Sequence, residues 1–157
     1  MKNKTLSVWL TLVTGPLGLH RLYLHGKFGW LGWLLLVPSL LGGYGVMRAR
    51  QFGVDDQLSW LLIPFLGFTL AGCALNAIIY GLMDTEKWNR TFNPNALEAA
   101  AGQTNWLTIA GLAASLLLGT TVLMASIAFS FQRYFEYQIE QSHMSNITQD
   151  EATKTNP

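Results

Sequence analysis

His20, Arg21, Tyr23 and His25 fall within six residues of one another, between two apolar runs of a chain that carries few other charges. Imidazole and guanidinium groups can pass protons, ligate a metal or hold an anion, so this cluster is the first place to look for chemistry. Metal ligation does not follow. On one helix His20 and His25 would stand about 140° apart, not on one face as i, i+4 ligands do. With no cysteine beside them and His143 far along the chain, no metal site is expected. Asp55-Asp56 is a pair of adjacent carboxylates, and on a polar loop it reads as solvated surface rather than acid/base machinery. The single cysteine, Cys73, stands inside an apolar run, where cysteine packs as a small hydrophobe.

Those apolar runs decide what the polar groups can do. Leu58 to Met83 and Trp106 to Phe131 each run 26 residues without a charged side chain, and Phe28 to Met47 runs 20. All exceed the ~18 residues that suggest a membrane span. Half the residues are hydrophobic and 12% are charged, where ordinary soluble domains carry roughly 25%. A net charge of +1, with basic residues scattered, gives no case for a nucleic-acid partner. The first apolar run, Leu6 to Leu19, has 14 residues and reaches roughly 21 Å, short of a ~30 Å hydrocarbon core. It is expected to continue to Leu24 as a first span kinked at Gly15-Pro16, or to break there and start a short interfacial helix. Lys2 and Lys4 ahead of it resemble the start of a signal peptide, but no small-x-small cleavage site follows, so the segment is expected to stay.

In lipid a lone charge seeks a partner or the interface. Arg21 is therefore expected to pair with Asp84, or with Asp55 or Asp56 if the hairpins fold differently, or to snorkel to headgroup phosphates. Asn76, inside the third run, is placed to bond across helices. Gly111, Ser115 and Gly119 recur every four residues, a small-residue stripe that lets another helix approach, in this chain or a second copy. Beyond the fourth run, Tyr134, Phe135 and Tyr137 suit the headgroup level. Residues 142–157 read as a disordered polar tail. Tyr44-Gly45-Val46-Met47-Arg48 is echoed by Tyr80-Gly81-Leu82-Met83-Asp84 at an offset of 36, a weak hint of repetition.

Residues Gly15, Gly18, His20, Arg21, Tyr23 and Leu24 follow the order Gly-x-x-Gly-x-His-Arg-x-Tyr-Leu, with Gly26 and Lys27 next. In this stretch, within about residues 4–47, the chain resembles the TM-two domain family of bacterial membrane proteins. The resemblance implies a transmembrane hairpin and no shared biochemical activity. The family pattern usually ends its second helix on an acidic residue, whereas this chain has Arg48, leaving Asp84 as a candidate for that role.

The resulting expectation is an all-α polytopic membrane protein: four transmembrane helices in two hairpins, 4–47 and 58–131, then the tail. The expected partners are the lipid bilayer and other membrane proteins or the protein itself, with no cofactor. A non-enzymatic role in packing with or recruiting membrane proteins fits best; a small oligomeric transporter or channel, using Arg21, Asn76 and Asp84, is the alternative. Four spans would put both termini on one side, with a slight lean to the cytoplasm. The family's distribution points to a bacterial inner membrane.

Overall fold

A computed structural model describes residues 1–26, 29–53, 56–95 and 100–154, the side chains of Leu31 and of residues 150–154 excepted. Lys27, Asp55 and residues 155–157, which bear on the expectations above, lie outside them. The described chain is all helical: α1 (Lys4–Thr14), a 3-10 turn (Gly15–Leu17), α2 (Leu19–His25), α3 (Trp30–Phe52), α4 (Gln57–Leu82), α5 (Thr85–Phe92), a second 3-10 turn (Ala100–Gly102) and α6 (Trp106–Lys154).

The first helix does not continue as a span. Asn3 caps α1 by accepting hydrogen bonds from the amides of Thr5 and Leu6, at 2.9 and 3.4 Å. After 11 residues the helix gives way to Gly15-Pro16-Leu17 in a 3-10 turn. Gly18 then takes φ 72°, a left-handed conformation that glycine adopts without steric penalty, and the chain reverses into α2. α2 runs back alongside α1: the Asn3 amide donates to the Tyr23 hydroxyl at 2.9 Å, and the Lys2 ammonium donates to the Leu24 carbonyl. A tight helical hairpin replaces the expected kinked span, and its tip lies at Gly15 to Gly18.

α4 is the axis of the bundle, with α1, α3 and α6 all packed on it. Glycines set the closeness of each contact. A Cβ at Gly42 of α3 would stand 2.5 Å from the Leu66 amide nitrogen, and one at Gly45 would stand 2.6 Å from the Leu62 Cβ. These pairs make α3 and α4 antiparallel. On the other side Gly67 meets Ser126, Ala74 meets Gly119, and Gly81 meets Leu112. α6 is thus antiparallel to α4, in a register that advances seven residues at each contact. A seven-residue step keeps one seam in contact when two helices cross at a shallow angle, as in left-handed coiled coils.

α1 lies between α4 and α6. A Cβ on Gly111 would meet Val8 at 2.9 Å, and the Trp9 indole donates to the Leu107 carbonyl at 3.1 Å. At the hairpin tip, a Cβ on Gly15 would stand 2.6 Å from the Cys73 Cβ. Cys73 is ten residues before Met83, so α1 reaches about 15 Å along α4 before turning back. The start of the chain therefore sits with α5 at one end of the bundle, and α6 runs out past the other. The two ends of the described chain thus lie at opposite ends of the bundle, where a four-helix up-and-down order would have brought them together. α6 also stays helical to Lys154, so its turns continue through the segment read as a disordered tail from Ser142.

Candidate functional site

The α1–α2 hairpin and the lid over its open end gather most of the buried polar residues among those described. His20 is fully buried on α2, its ring centroid 6.4 Å from that of Tyr80, and neither ring nitrogen has a hydrogen-bond partner. Arg21 is half-buried, and its Nε is also without a partner. Leu24 is buried, while Tyr23 holds the Asn3 amide. Gly15 and Gly18 form the turn that lets these side chains reach α4.

α5 closes the open end. Its charged residues Glu86, Lys87 and Arg90 face outward, while Trp88 is fully buried. The Trp88 indole donates to the Lys2 carbonyl at 3.1 Å. Asn93 grips the same residue twice, accepting from the Lys2 amide at 2.7 Å and donating to its carbonyl at 3.1 Å. Behind them the rings of Trp88 and Phe92 lie 4.5 Å apart, and Tyr80 meets both edge-on. Lys4 is fully buried under this lid, donating to the Met83 carbonyl and to the Thr104 hydroxyl.

The three expected intramembrane polar contacts do not converge. Asp84 is exposed at the corner between α4 and α5, where the cation it acts on is Lys4. The ion pairs among the described residues are Arg48–Asp56, Arg90–Glu86 and Arg133–Glu136, so the expected Arg21–Asp84 pair is not formed. Asn76 donates to the carbonyl of Gly72 on its own helix, at 3.1 Å, rather than to a neighbouring one. The small stripe is divided between two neighbours: Gly111 faces α1 and Gly119 faces α4, with Ser115 fully buried between them. No three His, Cys, Asp or Glu side chains among the described residues cluster as metal ligands.

At the opposite end Arg48 binds Asp56 through two nitrogens, at 2.7 and 3.1 Å, and lies over the Phe52 ring. Asp56 also caps α4, accepting from the Ser59 amide and hydroxyl at 3.0 and 2.6 Å. The Arg48 guanidinium, then the Ser59 hydroxyl, hold its carboxyl down at about 2. Arg48 thus finds its acid eight residues on, across the loop.

Lys2 and Lys4 were read from the sequence only as a likeness to a signal peptide, and none of Lys2, Lys4, Trp88 and Asn93 as a site residue. Trp88 and Phe92, four apart in a charged segment, were the available signal for a lid that buries one face. Nothing local marks a buried Lys4. These features define an all-helical protein in which two helices, α4 and α6, are long and apolar enough to cross a membrane. Comparison with protein-family models, with curated proteins and with solved structures yields no match.

Proposed function

We propose that the chain is a multi-pass membrane protein of the bacterial inner membrane, non-enzymatic, that packs with or recruits other membrane proteins. α3, α4 and α6 cross the bilayer, and α1 with α2 form a re-entrant hairpin of the TM-two type. The hairpin's reach of about 15 Å along α4 equals half of a ~30 Å hydrocarbon core, so its tip turns near the midplane. Irregular backbone at that depth is tolerated only against protein or a polar cavity, which is why Gly15 sits on Cys73.

The observation that carries the recruiting role is α6. It runs 49 residues, roughly 73 Å, and only part of one face is covered by α1 and α4. Leu117 and Met124 are about two-thirds exposed on its bare side, and Tyr134, Phe135 and Ile139 extend an apolar surface beyond the Arg133 level. A second reading, an oligomeric transporter, draws on His20, a buried imidazole with both nitrogens unpartnered. Photocrosslinkers placed singly at Leu117 and Met124 in native membranes separate the two. Capture of one defined membrane protein is expected; self-crosslinks alone would favour the oligomer, and lipid alone would sink both.

A further inference from the structure

Between the first turns of α4 and the Arg133 level of α6 lies a groove of about 520 Å³. Its walls are Leu61, Pro64, Phe65 and Phe68, and its mouth is formed by Gln57, Arg133, Tyr134 and Tyr137. From Gln57 to Phe68 it descends 11 residues of α4, roughly 16 Å, about the depth of one leaflet's hydrocarbon. Polar groups are confined to one end. We propose that this groove is a binding site for an anionic phospholipid, its phosphate at Arg133 and one acyl chain along Leu61 to Phe68.

The mouth is built from hydrogen-bond donors. The Arg133 guanidinium is held between two rings, 5.1 Å from the centroid of Trp60 and 5.7 Å from that of Phe129. Stacking of this kind fixes the fork without using its N–H groups. One of those groups, Nε, is buried with no partner, while Nη1 donates to Glu136 at 2.7 Å. Glu136 is the acidic group at the mouth, and it also accepts from the Gln132 amide at 2.9 Å, so its two oxygens are already engaged. The Tyr134 and Tyr137 hydroxyls each accept from a glutamine amide, Gln138 and Gln141, both at 2.6 Å. Each phenol is left with its own proton to donate. An unpartnered guanidinium N–H and two phenolic O–H groups above an apolar slot suit an acceptor-rich anion with a hydrocarbon tail.

This assignment rests on the bilayer placement proposed above, and the test separates the two. The full chain is reconstituted in vesicles of equal phosphatidylglycerol and phosphatidylcholine, extracted, and its retained lipids are read by native mass spectrometry. The wild type is expected to prefer phosphatidylglycerol. Arg133→Gln lowers that preference roughly fivefold, the effect of one basic group near an anionic headgroup. Arg133→Lys keeps it, and Leu61→Trp, which fills the slot, removes both lipids. An unchanged lipid ratio in Arg133→Gln, or a preference lost equally in Arg133→Lys, overturns the site. So does undiminished lipid in Leu61→Trp, or a dimer that Leu61→Trp dissolves, which would make a second copy the occupant. Equal retention of both lipids by the wild type overturns the headgroup site alone; retention of neither removes the bilayer placement with it.

Discussion

The Asp56 carboxylate accepts from the Arg48 guanidinium and from the Ser59 amide and hydroxyl at once, joining the end of α3 to the first turn of α4. Its carboxyl lies at about 2, below the roughly 3.9 of an unfolded aspartate. A depressed acid stabilises the fold above its unfolded value and loses that contribution as pH falls toward the folded one. The window is therefore between about pH 4 and pH 2. Arg48→Gln should unfold at a lower temperature than the wild type at neutral pH in detergent, with the gap closing across that window. A gap that stays constant down to the bottom of the window would mean that the pair does not stabilise the loop. The partnership was only half visible in the sequence. Arg48 could be seen to close the second apolar run, but its acid lies eight residues on, a pairing that no local pattern specifies.

Among the elements, the hairpin of α1 and α2 carries the largest difference between expectation and structure. Gly15-Pro16 was readable as a break, and its consequence was not. Whether a helix kinks or reverses depends on Gly18 entering the left-handed region and on Cys73 receiving the tip, and the second of these is a contact 58 residues away. The long apolar runs α4 and α6 were readable because length and composition alone identify them. Their register was not, since it is set by pairs such as Ala74 with Gly119 and not by either helix alone. The hairpin seat can be tested directly. Gly15→Leu should destabilise the protein by about 1 to 3 kcal/mol, as overpacking does. Thermal unfolding of the purified variant checks this, and Gly43→Leu, where a side chain meets open space, is the control. Equal stability of the two variants would show that the tip does not rest on α4.

For the whole molecule, in the bilayer placement proposed above, a hairpin that turns back leaves three crossings instead of four. An odd number puts the two ends of the chain on opposite sides of the membrane. Impermeant thiol labelling of intact cells should therefore reach a cysteine placed at Asn3 or one at Ser145, but not both, in a Cys73→Ala background. Labelling of both, or of neither until the cells are lysed, would restore a four-span topology. The regrouping of charge follows from the same turn: Lys2 and Lys4 join Lys87 and Arg90 at one end, facing Arg48, Arg50 and Arg133 at the other. Neither end holds a decisive excess, so charge bias alone does not orient the protein.

Lys2 is held by Trp88 and Asn93, which follow it by 86 and 91 residues. The Lys2 segment must therefore wait, during synthesis, for residues made later in the chain. At roughly 5 to 20 residues per second, that interval is on the order of 5 to 20 s. During it the amino-terminal segment has neither its lid nor the α6 surface that flanks it. Folding of this chain thus ends, rather than begins, with the docking of α1.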